Sequence, residues 1–377
     1  MENKIIRILY TIPNFNTAGS GIALMKLIGR LDPDRFEPHI MCVHDRGDYF
    51  KDVVANSGIP IHIYKYTGKV RPYLKAIVRI IKLALYFKRN KFDIVFSYHY
   101  AADYIEAIAA KLAGARFIYV KKNMSWHGPS YRAWKLKTFF SDKVLVQNTD
   151  MIKDFYNNNN KASLVSIGVD MSEFYPRPKD LELLKEFNIN DNDKIILCVA
   201  HIVPNKGIDV LIKAFGRIEE SQSNVRLLIV GEDKNEFGTQ LKHLVEEEQI
   251  KSITFTGKRF DMYRFYSIAD LFVLPSTGDE GAPIVNQEAM ASGVPILSTN
   301  RTGSRDQLSE LPDQIVEPGN SDELFDKINK NLFISKKNRE AIIKKQLDII
   351  NKHYSLYNEV KQHEQIYSGF FFNVEQN

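Results

Sequence analysis

Apolar positions in this chain cluster into short runs of strand length, separated by segments in which they recur every three or four residues. In the first half the runs are IIRILYTI (5–12), PHIMCVH (38–44), IPIHIY (59–64), FDIVFSYH (92–99), ARFIYV (115–120) and KVLVQN (143–148). A loop holding Gly19 and Gly21 follows the first run and leads into the helical segment IALMKLIGRL. DYFKDVVANSG and ADYIEAIAAKLAG, ending at Gly114, have the same period. The second half repeats the scheme. KIILCVA (194–200), VRLLIVG, SITFTG and DLFVLP read as strands, and helices are predicted over 206–219, 236–249, 262–269, 321–334 and 339–377. Strands that alternate with helices predict a parallel sheet wound on both faces, here twice over.

Between the halves lies KDFYNNNNKASLVSIGVDMSEFYPRPKD, whose four successive asparagines read as a loop tip and whose Pro176 and Pro178 mark a linker. A first domain over 1–187, a second over 188–350 and a final helix over 351–377 are expected. At 377 residues there is room for two ordinary cores. Composition, 44% hydrophobic and 26% charged, is that of a globular chain. No run approaches the ~18–20 apolar residues of a spanning helix, and the N-terminus has no signal-peptide pattern, so a cytoplasmic protein is expected. Cys42 and Cys198 lie in separate strand-like runs and are expected as buried free thiols.

Charge changes the picture. Up to residue 187 there are 29 basic and 18 acidic residues, net +11; the remainder has 22 and 28, net −6. Residues 65–92 hold nine basic residues and no acidic one. Arg71, Lys75, Arg79, Lys82 and Arg89 recur at helical spacing, with Leu74, Ile77, Val78, Ile81 and Leu85 on the other side of the helix. A second basic stretch, 111–143, is interleaved with Trp126, Tyr131, Trp134, Phe139 and Phe140. Such stretches form either a solvated helix face over a sheet or a peripheral contact with an anionic membrane. Nucleic-acid binding is not expected, because no recognition module accompanies the charge.

In open parallel sheets ligands sit where strands end and loops enter helices. Three loops of the second half carry suitable chemistry. HIVPNKG (201–207) presents His201 and Lys206 ahead of a helix, a cationic clamp for a diphosphate. GEDKNE (231–236) presents Gly231 and acidic residues from Glu232 onward. PSTGDEGAPIVNQEAMASGVPILST (275–299) places Glu280 and Glu288 eight positions apart, on a loop and on the helix after it. Free N–H groups at a helix start hold an anion, and carboxylates accept from sugar hydroxyls, a combination suited to a sugar nucleotide.

These residues carry a resemblance to the retaining glycosyltransferases of family 4. The family's E-x7-E signature matches Glu280 and Glu288, with Gly281 and the Glu-Ala-Met-Ala-Ser-Gly-x-Pro continuation over 288–295 in place. Lys206-Gly207 matches its basic loop, and Gly168-Val169-Asp170 with Phe174 and Pro176 matches its linker phrase. Gly19 and Gly21 match its paired-glycine loop more loosely. The resemblance implies an α/β GT-B fold of two Rossmann-like doubly wound domains facing across a cleft, with the last helix crossing back to the first. It further implies that Lys206 neutralises the departing diphosphate and that Glu280 contacts the donor sugar. The backbone of Gly281, Ala282, Pro283 and Ile284 would hold sugar and phosphate, and Glu288 the ribose.

Two positions depart from the family pattern. His201 stands where an arginine is usual, so activity is expected to fall as pH rises, the imidazolium being the clamping form. A first-domain histidine that many members place after the strand near residue 120 is replaced by Lys122 or Asn123, with His99 and His127 nearby as acceptor-side candidates. Asp32-Pro33-Asp34 resembles a metal motif of another glycosyltransferase fold, but its residue types are those of a turn.

The expected activity is a metal-independent, hexosyltransferase-like transfer (EC 2.4) from a UDP- or GDP-sugar to an acceptor hydroxyl, with no cofactor. The acceptor is expected to be lipid-linked or a glycan of surface polysaccharide biosynthesis. A degenerate GT-B domain kept for sugar-nucleotide binding or assembly is the alternative.

Overall fold

The computed structural model describes residues 4–15, 19–47, 49–68, 73–99, 102–124, 130–157 and 159–372. Contacts divide the chain into two units: residues 1–167 with 356–377, and residues 168–355.

The first unit is built on seven strands: β1 (Ile6–Ile12), β2 (Phe36–Cys42), β3 (Ile61–Ile63), β4 (Ile94–Ser97), β5 (Arg116–Lys121), β6 (Lys143–Val146) and β7 (Ala162–Leu164). Their order is β3-β2-β1-β4-β5-β6-β7, all pairs parallel. The direction of winding reverses between β1 and β4. One face of this sheet is covered by Gly19–Ile28, Tyr49–Ala55 and Leu356–Ser368, the other by Tyr73–Arg89, Ile105–Ala113, Ser130–Phe140 and Thr149–Phe155. Central strands buried on both sides explain the near-continuous apolar runs.

The second unit has six strands: β8 (Lys194–Val199), β9 (Val225–Val230), β10 (Ile253–Gly257), β11 (Leu271–Leu274), β12 (Ile296–Thr299) and β13 (Ile315–Val316). Their order is β10-β9-β8-β11-β12-β13, again parallel, with the reversal between β8 and β11. Cys42 and Cys198 are free and buried.

Several expectations are corrected. The first domain ends at residue 167, not 187. Val169, Phe174, Leu183 and Leu184 are buried in the second core, and each such side chain gains ~1.5–3 kcal/mol over exposure, more than a linker would surrender. Residues 339–377 are not one helix. Lys336–Ile349 widens into a π turn at Ile350–Tyr354, where the Tyr354 carbonyl accepts from Val169 N–H (2.7 Å), and a new helix starts at Leu356. That break is where the chain returns to the first unit. There Leu356, Val360 and Tyr367 enter the core, Tyr10 donates to Tyr367 (3.0 Å), and Asp32 N–H to Glu364 (2.8 Å).

The first helix begins at Gly19, so Gly19 and Gly21 belong to it rather than to a preceding loop. Strand β7, three residues long, lies in a stretch that reads as loop, and the two-residue β13 lies where no element is predicted. The basic helix, Tyr73–Arg89, buries Ala76, Leu83, Ala84 and Phe87; Leu74, Ile77, Val78, Ile81 and Leu85 are exposed. Asp32 folds as turn chemistry predicts, its carboxylate accepting from Asp34 N–H (3.0 Å).

Candidate active site

The reversal between β8 and β11 is the topological switch point of the second unit, and the loops leaving these two strands carry Lys206 and Glu280. After β8 the chain passes His201 and makes a 3-10 turn, Pro204–Lys206, before the helix Ile208–Ser221. Gly207 joins them at φ 63°, and a Cβ there would stand 2.2 Å from the Pro275 carbonyl oxygen, so both conformation and space require glycine. Asn205 then fixes the second loop: its carbonyl accepts from Thr277 N–H (3.0 Å) and Gly278 N–H (2.9 Å).

The result is a direct ion pair. Lys206 Nζ donates to Glu280 Oε1 at 2.5 Å, with side chains 19% and 13% exposed, and Ser276 Oγ donates to the same oxygen at 2.6 Å. Thr302, after β12, donates to the Glu280 carbonyl (2.5 Å) and accepts from Glu280 N–H (3.1 Å). The neighbouring Gly303 (φ 47°) lies against the Gly281 carbonyl, where a Cβ would approach to 2.5 Å. A buried amide network fixes the rest of the loop. Asn286 donates to Gln307 Oε1 (3.0 Å), and Gln307 donates to the Pro283 carbonyl (3.2 Å).

The helices that start here, Ile208–Ser221 and Ile284–Ala291, have no side-chain cap. By contrast Asn235, Asn320 and Ser335 cap the helices beginning at Glu236, Ser321 and Lys336. Uncapped first turns leave donors and a positive dipole end for an anion. Ala282 and Ile284 are half-buried and Pro283 buried at this helix start.

Glu288, within the helix Ile284–Ala291, accepts from the Tyr266 hydroxyl at 2.9 Å. Burial first, then the adjacent Glu288 carboxylate, hold the Tyr266 phenol far above its ordinary range, so it remains a donor. Gly231 follows β9; a Cβ there would meet the Ala200 carbonyl oxygen at 2.1 Å, so the β9 loop lies directly on the β8 loop. Glu232 is exposed and accepts from Lys234 N–H (3.2 Å). Asn235 Nδ2 donates to the Ile202 carbonyl (3.2 Å), tying the same two loops, and His201 is exposed on the β8 loop. Thus Lys206, Glu280 and Gly281 converge, with His201, Gly231 and Glu232 on adjoining loops. Glu288 stands on the following helix with Tyr266.

The first unit has its own switch point, between β1 and β4, and the acceptor-side candidates lie on loops beside it. His99, just past β4, packs edge-on to Tyr66 with centroids 6.1 Å apart. Lys122, just past β5, donates to the Tyr98 carbonyl (2.8 Å) and lies 3.6 Å above the Tyr98 ring centroid. Burial, with Lys137 nearby, pushes the Lys122 ammonium down to about 6. Asn123 follows, half-buried, and His127 lies outside the described residues. Gly21 is met by the Phe50 ring, 2.5 Å from where its Cβ would be, a packing role.

Beneath these loops is a buried cluster the sequence reading missed. Glu106 accepts from Thr11 Oγ1 (2.6 Å) and Ser97 Oγ (3.0 Å), and Lys137 Nζ donates to Ser97 Oγ (3.3 Å). Burial pushes the Glu106 carboxyl up and the Lys137 ammonium down, each opposed by the other's charge. Ser276, Thr302, Tyr266, Asn286 and Gln307 of the second unit were likewise missed. Only Thr302 carried a signal, as a small polar residue beside a glycine just after a strand.

Two parallel sheets, with switch-point loops that enter uncapped helices in the second, form an architecture able to hold an anionic ligand. Residues 180–347, within the second unit, match the model of the glycosyl transferases group 1. The lipopolysaccharide 1,2-N-acetylglucosaminetransferase of Salmonella typhimurium is 28% identical over 61% of this chain and 63% of its own length. An Escherichia coli UDP-Gal:alpha-D-GlcNAc-diphosphoundecaprenol alpha-1,3-galactosyltransferase is 24% identical over 73% and 74%. The chain therefore spans less than two thirds of the first relative. Among solved structures, Anabaena Alr3699/HepE in complex with UDP and glucose superposes with TM-score 0.80 at 18% identity, covering 96% of this chain and 99% of that one. The fold is the GT-B fold.

Proposed function

We propose that the chain is a glycosyltransferase that moves a sugar from a nucleotide-diphosphate donor to an acceptor hydroxyl with retention of configuration. The observation that carries this is the Lys206–Glu280 pair, set at the switch point beside two uncapped helix starts. As the sugar–phosphate bond breaks, negative charge grows on the diphosphate. Lys206, with N–H bonds beyond the one given to Glu280, neutralises it without metal or cofactor; one such donor is worth ~10²–10³ in rate. Glu280, held by Lys206 and Ser276, presents its carboxylate to donor-sugar hydroxyls. Glu288, steadied by Tyr266, takes the ribose, and His201, Gly231 and Glu232 line the nucleotide.

The donor is a UDP- or GDP-hexose; the diphosphate site suits either, and UDP is the nucleotide named for both the E. coli relative and the Anabaena complex. The acceptor is a lipid-linked or glycan intermediate of surface polysaccharide or glycolipid biosynthesis, in line with the acceptors named for the two relatives. His99, Lys122 and Asn123 serve the acceptor side. The enzyme works in the cytoplasm as a peripheral membrane protein; no helix among the described residues is long and apolar enough to cross a membrane.

The test is incubation with a panel of UDP- and GDP-hexoses, with and without undecaprenyl-diphosphate-linked acceptor. Release of nucleoside diphosphate that requires acceptor, and an anomeric configuration unchanged by NMR, are expected. Tight nucleotide binding without release would reveal a degenerate domain, and an inverted product would remove the retaining mechanism.

A further inference from the structure

We propose that the basic helix Tyr73–Arg89 and the helices beside it form a docking face for an anionic bilayer surface. This deepens the reading of a membrane-borne acceptor and rests on it for its setting, while its test measures binding instead of turnover.

A helix covering a sheet turns its apolar stripe inward and its charges outward. This helix does the first with Ala76, Leu83, Ala84 and Phe87, and then carries a second apolar stripe on its outer side. Leu74, Ile77, Val78, Ile81 and Leu85 fall on one side of the helix (i, i+3, i+4, i+7, i+11), and Leu74 and Leu85 are 79% and 61% exposed. Lys75, Lys82 and Arg89 recur every seven residues along one flank of the stripe, and the helix has no acidic residue. Seventeen residues make a rod ~25 Å long that can lie flat in a headgroup layer, apolar side down.

The surface continues across the same face of the sheet. Tyr73–Arg89 packs on Ile105–Ala113, which packs on Ser130–Phe140. Leu112, Tyr131, Leu136 and Phe139 are exposed there, among Lys111, Arg132 and Lys135. A cavity of about 700 Å³ lined by Leu136, Phe139, Phe155 and Lys161, among others, extends the apolar area.

Charge selects the occupant. A second copy meeting this helix through the same face would oppose its five basic residues with five more. A neutral surface would offer the exposed Lys75, Lys82, Lys88 and Arg89 no net counter-charge. An anionic lipid surface satisfies both stripes, hydrocarbon under the aliphatics and phosphate beside the lysines.

Vesicle co-sedimentation of the full chain tests this with phosphatidylglycerol–phosphatidylcholine vesicles and pure phosphatidylcholine vesicles. Binding only to the first is expected. Lys75→Ala/Lys82→Ala/Arg89→Ala is expected to bind about a hundredfold more weakly. Ile77→Ser/Ile81→Ser/Leu85→Ser should lose at least about tenfold, with unchanged melting temperature because these side chains are outside the core. Lys213→Ala/Lys234→Ala, on the second unit, should bind as wild type. Wild type remaining in the supernatant, or both triple variants still binding, overturns the proposal. So does a wild-type dimer that the serine variant converts to monomer, which would make a second copy the occupant. Vesicle binding without sugar transfer in any acceptor panel would sink the transferase reading and leave this face standing.

Discussion

The two units place polar side chains at the same topological position and use them oppositely. At the switch point of the second unit, Lys206 and Glu280 pair on loops, partly open to solvent, beside helix starts left uncapped. At that of the first, Glu106 and Lys137 approach Ser97 from two different helices, and both are fully buried. An acid and an amine sealed from water around a shared serine form a structural element whose members cannot reach a ligand. A half-open pair on glycine-braced loops keeps hydrogen-bonding capacity for a substrate. Switch-point topology makes a crevice available, and burial decides whether it serves chemistry or cohesion.

The strongest way to break this comparison is Lys137→Met. Leaving Glu106 buried without its cation is expected to cost ~3–5 kcal/mol, read as a lower urea midpoint. Glu106→Gln/Lys137→Met should recover much of the loss, as a pair replaced together does. If Lys137→Met unfolds at the wild-type midpoint, the first pair is not structural. Lys206→Ala should do the reverse: kcat lower by ~10²–10³ with the melting temperature nearly unchanged. Wild-type turnover in that variant would remove Lys206 from the mechanism.

Gly207→Ala sharpens the comparison by disturbing the brace without touching charge. The positive φ and the Pro275 carbonyl make it costly, ~1–3 kcal/mol, and turnover should fall as the Lys206–Glu280 geometry loosens. Unchanged turnover would mean the pair needs no backbone support.

The last effect is one of pH, small over any single pH unit. Lys122 is held down to about 6 by burial, far below its unfolded value. Between the two values the unfolded chain binds the extra proton, so stability rises with pH through that window and falls as pH drops toward 6. Wild type should show this slope above pH 6.5 and Lys122→Met should lose it. Parallel curves would mean that the Tyr98 ring and carbonyl keep the ammonium charged.

The second site was largely legible in the sequence because its residues cluster. Glu280, Gly281 and Glu288 lie within nine positions, and Lys206 adjoins a glycine, a residue type that marks a loop. Tyr266 and Asn286 were not legible, since a buried tyrosine or asparagine looks like any other core or helix residue until its partner is known. Glu106 and Lys137 were invisible for a stronger reason. They sit in amphipathic helices 31 positions apart, where charged residues ordinarily face water. Which side of the basic helix meets the sheet was not legible either, because periodicity reports that a helix has an apolar side without saying where it packs. That helix has two, and the smaller alanine and phenylalanine face won the core.

By itself the sequence determined the strand and helix alternation, the two wound sheets and the loop carrying Glu280. These depend on local period and on residues near one another in the chain. Only the tertiary structure decided that residues 168–187 join the second core, that the last helix breaks at Ile350–Tyr354, and which charges are sealed or open. Burial is a property of neighbours brought together from distant positions, and a one-dimensional pattern contains the residues but not their distances.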